Sequence, residues 1–334
     1  MTGLGEREVP RGAEAVTHFP VSGVEVSPLI PPLVAFVIAS LTAPAGVSGA
    51  FLLLPFQMSV LGFVSPAVSP TNLIYNIVAI PGGVYRYFRE GRMAWPLTWT
   101  VVIGTLPGVF AGAVVRVRYL PEARAAKFFV GLVLAGLGAR LLYEFLARSS
   151  AGRQQQIALA RRFEARMKDL RQRGGAGLPA EAIVRTKSVS LRRIEYEFWG
   201  EVFSFSPAAV FGLALLVGVV GGVYGIGGGA IIAPFVVAVM GLPVYTVAGA
   251  ALLGTFLTSV AGVAAFELLG ATSLGAGAAV QPDWALGALF GVGGLCGTYC
   301  GARLQKHLPE RWIRLALGVL ITGLALSYIS QFFR

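Results

Sequence analysis

The sequence predicts an all-α polytopic membrane protein of two homologous halves, set as inverted repeats. Each half is expected to carry a glycine-broken first helical segment and about three spanning helices. Three observations lead there. The 334 residues are 55% hydrophobic and only 13% charged, with mean hydropathy +0.72, where a soluble domain carries about 25% charged residues. Several apolar runs reach the ~18 residues that cross a bilayer core. The chain also repeats itself without a gap: Gly46, Gly49, Pro55 and Gly62 recur 179 positions later as Gly225, Gly228, Pro234 and Gly241.

Residues 1–28 lack the basic region and apolar core of a cleaved leader and read as a polar N-terminal tail. The first repeat is placed at 29–147. Its opening apolar run, Leu29 to Phe63, is too long for one span and short for two. Pro44-Ala45-Gly46 divides it into helices at about 31–43 and 48–61, forming either a re-entrant hairpin or two thin spans. A helix over 71–88 follows, kinked near Pro81-Gly82-Gly83. Another runs from Trp95 to about Val115, bent at Pro107, and a fourth spans about 128–146. Trp95 and its counterpart Trp284 read as interfacial anchors.

Residues 148–206 form a basic cytoplasmic linker with 12 Lys or Arg against 6 Asp or Glu. Ile157, Ala160, Phe163, Met167 and Leu170 recur at helical spacing among arginines. That pattern is an amphipathic helix, lying either on an anionic leaflet or against the rest of the protein. Alternation around Gly200-Glu201 suggests a small hairpin within 189–205. The second repeat, 207–334, echoes the first: a broken segment over 207–241, then helices at 246–269, from Trp284, and over 312–332. Gly293, Gly297 and Gly301 match Gly104, Gly108 and Gly112 at an offset of 189.

The net charge of +11 reads as basic cytoplasmic loops rather than as a nucleic-acid surface. With three spans or five per half, the linker falls inside and only the Arg116–Lys127 stretch sits on the wrong side. That odd count makes the halves inverted, a common plan among secondary transporters.

Inversion would bring the two breaks together near the midplane. A helix restarts after each, at Ser48-Gly49 and Gly227-Gly228-Gly229, and a helix N-terminus offers unpaired N–H groups and about half a positive charge. Glycine lets a ligand approach that backbone. Two such ends would bind a small anion without a buried cation. The competing reading is that these glycines permit tight helix packing. Asn72 and Asn76 share a helix face, Asn76 aligns with Thr255, and Thr258 lies near Thr255. These side chains either line the site or bond helix to helix. Gln57 and Tyr224 are weaker candidates.

Two cysteines, Cys296 and Cys300, and two histidines, His18 and His307, are too few for a metal site. The cysteines read as small packing residues. No acid or base falls at the centre of a predicted span, as a proton relay requires. No nucleophile–base pair or nucleotide fingerprint appears, so neither catalysis nor a cofactor is expected.

The pattern Gly225-x-Gly227-Gly228-Gly229, with Pro234 and the pair Met240-Gly241, leads into an Ala/Thr/Ser-rich helix and a Trp-led glycine-rich helix. Duplicated, it resembles the TauE/SafE sulfite exporter family, also called the toluene sulfonate uptake permease family, over about 29–147 and 207–334. The first half departs at Ser48 and Ala50, where the second has Gly227 and Gly229. The resemblance implies a plasma-membrane transporter, in bacteria the inner membrane, that moves sulfite or organosulfonates, mostly outward. Alternatives are another small anion or organic acid, a membrane-embedded enzyme, or a scaffold using the linker.

Overall fold

The computed structural model describes residues 16–43, 48–89, 91, 93–146, 183–272, 279–304 and 310–333. The first half contributes α1 (Ile30–Thr42), α2 (Ala50–Ser59), α3 (Val68–Ala79), α4 (Pro81–Arg89), α5 (Trp95–Arg118) and α6 (Ala123–Leu146). The second contributes α7 (Pro207–Tyr224), α8 (Gly229–Met240), α9 (Val244–Gly270), α10 (Trp284–Leu304) and α11 (Glu310–Phe333). Among the described residues, six helices (α5, α6, α7, α9, α10 and α11) are long and apolar enough to cross a membrane. Large apolar side chains such as Leu33, Trp99, Phe110, Leu216, Val292 and Leu326 are exposed on their outer faces. In water such a surface would aggregate, whereas in lipid it is the expected solvent contact. The protein is a multi-pass membrane protein.

Proline and glycine set the breaks. The helix expected over 71–88 is two helices, because Pro81 has no N–H to continue α3 and instead starts α4. α7 ends at Tyr224, with Gly225 in the left-handed region at φ +80° and Gly227 likewise at +75°. The aligned pair Gly62 and Gly241, in the turns that follow α2 and α8, take φ +68° and +67°, so the repeat seen in sequence is also a repeat of backbone conformation. Ser48, at the position of Gly227, keeps a negative φ. The two breaks therefore differ where the sequences differ. The centre of the first break and the amphipathic helix expected over 157–170 lie outside the described residues.

Two ridges of glycine join the halves. Side chains added at Gly104, Gly108 and Gly112 of α5 would meet the carbonyl oxygens of Phe211, Leu215 and Val219 of α7. Side chains at Gly293, Gly297 and Gly301 of α10 would meet those of Pro32, Phe36 and Ser40 of α1. The offsets of 189 and 179 convert one list into the other. Both pairs run parallel. By contrast, α3 packs antiparallel to α9, with Leu73 against Gly262 and Asn76 bonded to Ser259. α6 packs antiparallel to α11, with Gly131 against Tyr328 and Gly138 against Thr322.

Each broken segment is preceded by a small β element. The residues expected to form a polar tail include a hairpin, β1 (Thr17–Phe19) with β2 (Val24–Val26). Phe19, Val24 and Val26 are buried on one face, and His18 pairs with Glu25 on the other at 3.5 Å. Strands of three residues are too short for their alternation to be recognised from sequence. Ser22 holds the hairpin to Asp283, donating from N–H at 3.2 Å and from Oγ at 2.8 Å to Oδ2. The linker's expected hairpin is present with one strand more: β3 (Arg185–Val189), β4 (Ile194–Phe198) and β5 (Glu201–Phe205), in antiparallel order. Trp199 and Gly200, both at positive φ, make the tight β4–β5 turn. This sheet lies over the ends of α5, α7 and α9. The Val184 N–H donates to the Gly91 carbonyl at 3.0 Å, and the Tyr196 hydroxyl bonds Thr246 at 2.9 Å. Burial pushes the Tyr196 hydroxyl up to about 12, against the pull of Thr246, so it stays a neutral partner.

Three basic residues expected in a loop lie against protein instead. Arg116 is inside α5 and 2% exposed. Arg124 donates to the Phe332 carbonyl at 2.9 Å and stacks on its ring, and Lys127 lies over Tyr328. The last two cap the C-terminal end of α11, where a cation is favoured. Cys296 and Cys300, expected as packing residues, are exposed on the outer face of α10.

The glycine ridges carry a stability prediction. Gly108→Ala or Gly297→Ala should lower the melting temperature in detergent sharply, because the new methyl meets backbone. Gly136→Ala and Gly323→Ala meet nothing within 4 Å and should be neutral or stabilising by up to about 1 kcal/mol. Equal effects at all four positions would show that the ridges do not hold the halves together.

Candidate functional site

The site grows from the carbonyls that the breaks leave free. In α2, Pro55 has no N–H to offer the Phe51 carbonyl. That oxygen instead accepts from the Tyr224 hydroxyl at 2.7 Å, so the last residue of α7 is tied to the first turns of α2. The carbonyls of Gly225 and Ile226 belong to the second break and lie outside any helix. Asn72 Nδ2 donates to Gly225 at 3.0 Å and to the Ala50 carbonyl at 3.1 Å. One amide thus holds both breaks. Asn76 Nδ2 donates to Ile226 at 2.9 Å and lies 3.3 Å from Ser259 Oγ. Gln57 supports Asn72 by donating to its Oδ1 at 3.3 Å. Asn72, Asn76 and Gln57 are fully buried.

Helix spacing explains why these groups converge. Ser69, Asn72 and Asn76 recur at i, i+3, i+7 on α3, one face of the helix. Ser69 Oγ donates to the Val223 carbonyl at 2.9 Å. From α9, Thr258 accepts from the Gly228 N–H at 3.1 Å while donating to its own Gly254 carbonyl at 2.6 Å. Thr255 donates backwards to Ala251 at 2.8 Å, and its side chain lies where a Cβ on Gly227 or Gly229 would go. Thr105 of α5 turns its hydroxyl to Val101 at 2.7 Å and its methyl to Gly228.

Of the residues picked from sequence, Asn72, Asn76, Gly227, Gly228, Gly229, Thr255 and Thr258 are brought together around the second break. Gly49 lies at the first, beside the Tyr75 hydroxyl, and Ser48 Oγ accepts from the Ala50 N–H at 3.3 Å. Ser69, Thr105, Tyr75 and Arg116 are not among the residues picked, while Ser259, one turn beyond Thr255, faces Asn76. Ser69 shares a face with both asparagines, and that signal was available. The approach of α5 to the break was not.

Chemically, the cluster is neutral and rich in amides. Gly49 and Gly228 are the N-cap residues of α2 and α8. Neither helix is capped by a side chain of that residue, and neither has an acid in its first turn. Two buried acceptors, Asn76 Oδ1 and Gln57 Oε1, have no partner among the described residues. No group of three His, Cys, Asp or Glu suited to a metal occurs among the described residues.

A family comparison matches sulfite exporter TauE/SafE over residues 32–328. The chain belongs to the TauE/SafE family. No curated protein matches it, and no solved structure does. In this TauE/SafE protein the match runs through both breaks, both glycine ridges and the linker, leaving out the β1–β2 hairpin.

The amide clamp predicts an order of damage. Asn72→Ala strands the buried Gly225 carbonyl and the Gln57 amide that donates to Asn72, each costing about 1–3 kcal/mol, and should destabilise more than Asn76→Ala, which strands the Ile226 carbonyl. Asn72→Asp should be worse, because it sets an acceptor against two acceptors. Melting temperatures of the three variants test this, and Asn72→Ala melting with the wild type would remove the clamp from the account.

Proposed function

We propose that this protein is a secondary transporter, an exporter of small sulfur-containing anions such as sulfite or organosulfonates across the bacterial inner membrane. Two repeats, 29–147 and 207–334, work by alternating access around the breaks, with Ser48, Gly49, Asn72, Asn76, Gly227, Gly228, Gly229, Thr255 and Thr258 lining the substrate path. The observation that carries this is the Asn72 amide, bonded to the Ala50 and Gly225 carbonyls together. It links the two breaks at a buried point, where the N-terminal ends of α2 and α8 favour negative charge. Membership of a transporter family supports the same reading and speaks against an enzyme. The antiparallel packing of α3 on α9 and of α6 on α11, together with the exchanged glycine ridges, supports inverted repeats. The bonds between sheet and helix ends support the linker, tail hairpin and loops sorting to two faces. The basic linker then lies inside and adjoins anionic lipid.

A second reading rests on Asn76 Oδ1 and Gln57 Oε1. Two unpartnered acceptors favour a ligand that carries a proton to donate, such as hydrogensulfite or an undissociated organic acid.

In proteoliposomes loaded with sulfite or with an organosulfonate, the wild type should show saturable efflux. Gly228→Leu should abolish it, Asn76→Ala should slow it at least tenfold, and deletion of 153–173 should leave it intact. Normal efflux in both point variants would sink the site. Flux of sulfite or of organic acids that rises as pH falls would favour the second reading.

A further inference from the structure

We infer that Arg116 and Ser69 form a second anion station, between the second break and the membrane face that carries the β1–β2 hairpin, and that it takes a small oxyanion. This rests on the transport reading above.

Arg116 sits two residues before the end of α5 and is 2% exposed. Its Nε donates to Ser69 Oγ at 3.3 Å. Its other N–H groups meet the carbonyls of Val64 at 3.4 Å, Ser65 at 3.3 Å and Leu120. No carboxylate pairs with it among the described residues. A buried guanidinium is ordinarily matched by an anion, because dipoles alone repay only part of its lost hydration. Here no full counter-charge faces it among the described residues: the C-terminal end of α5 supplies a partial one, and a second positive pole lies beside it. Val68 and Ser69 are the first two residues of α3, so the positive end of that helix lies at the same spot, its Val68, Ser69 and Thr71 N–H groups paired with the carbonyls of residues 65–67.

The guanidinium lines a cavity of about 10 Å3, shared with Ser69 and with the apolar side chains of Leu54, Met58 and Val130. That is space for about one water. An oxyanion needs more, so occupancy requires α2 and α6 to part, a movement that alternating access supplies. The station is joined to the break directly. Ser69 Oγ reaches the Val223 carbonyl at 2.9 Å, and the Ser69 carbonyl is the atom a side chain on Gly225 would strike. An anion leaving the break on this side meets Arg116 next.

The test uses purified full-length protein, with sulfite, phosphate and chloride as probes in thermal shift and sulfite in proteoliposome flux. Arg116→Gln should bind sulfite at least tenfold more weakly and raise the flux KM more than it lowers kcat. Arg116→Lys should recover part of the affinity. Val130→Asp keeps the arginine but supplies a counterion inside the cavity, and it should lose anion-dependent stabilisation in the same way. If Arg116→Gln fails to fold, Val130→Asp decides alone. Wild-type sulfite affinity and KM in the folded variants would overturn the station and leave the transport reading standing. If the wild type moves no sulfite or organosulfonate, the transport reading falls. The station then stands only if phosphate or chloride still stabilises the wild type and not Arg116→Gln.

Discussion

A helix broken inside a bilayer exposes carbonyl oxygens where no water can reach them, and each one left unpaired costs several kcal/mol. The buried polar residues of this protein are placed to meet that constraint. Phe51 is paired by Tyr224, Gly225 by Asn72, Ile226 by Asn76, and Val223 by Ser69. All four donors come from segments that flank a break or face one. Because the Tyr224 hydroxyl of one broken segment pairs the Phe51 carbonyl of the other, moving either segment alone strands that carbonyl. Any change of conformation must therefore carry both breaks or exchange these bonds for others.

The glycine ridges set the distance at which this pairing works. With hydrogen in place of a side chain, α5 rests on the carbonyls of α7 and α10 on those of α1. A methyl group at any of the six positions would push the broken segments away from the asparagines of α3 or the threonines of α9. Packing and polar satisfaction are thus one requirement. The choice left open by the sequence, between glycines that pack and glycines that admit a ligand, does not divide the second break. Gly225, Gly228 and Gly229 lie close to neighbouring atoms, while the helix that starts there has no acid in its first turn.

Much of this was legible in the sequence because duplication writes the same signal twice. Gly46 with Gly225 and Gly104 with Gly293 fixed the offsets, and the contacts of α1, α5, α7 and α10 follow those offsets residue by residue. The asparagines were recognisable because an amide in an apolar helix needs a partner. Which partner it takes depends on a segment about 150 residues away, and no local pattern encodes that. Arg116 was assigned to a loop because charge commonly ends a span. Its guanidinium turns back to Ser69 and the 64–65 carbonyls, which the order of residues does not reveal. The β1–β2 hairpin escaped for another reason: its buried face is three residues, Phe19, Val24 and Val26, in a stretch otherwise polar.

The differences between the halves are as informative as the match. Tyr75 aligns with Gly254 and Thr105 with Gly294, at offsets of 179 and 189. At the first break the Tyr75 ring packs on Gly294 and points its hydroxyl towards Gly49. At the second break the tyrosine position is glycine and the glycine position is Thr105, whose methyl meets Gly228. The same space is filled in each half from a different helix, α3 in one and α5 in the other. Volume was kept while chemistry changed: a phenol faces one break, a methyl the other. On the inverted-repeat reading, an unaltered duplication would give two conformations of equal energy, one open to each side. Exchanging a hydroxyl for a methyl at the facing position, and placing the buried charge of Arg116 in one half only (its counterpart at an offset of 189 is Gln305), removes that equality. On the proposed function, a transporter built this way rests preferentially in one state, and substrate binding at the breaks shifts it to the other.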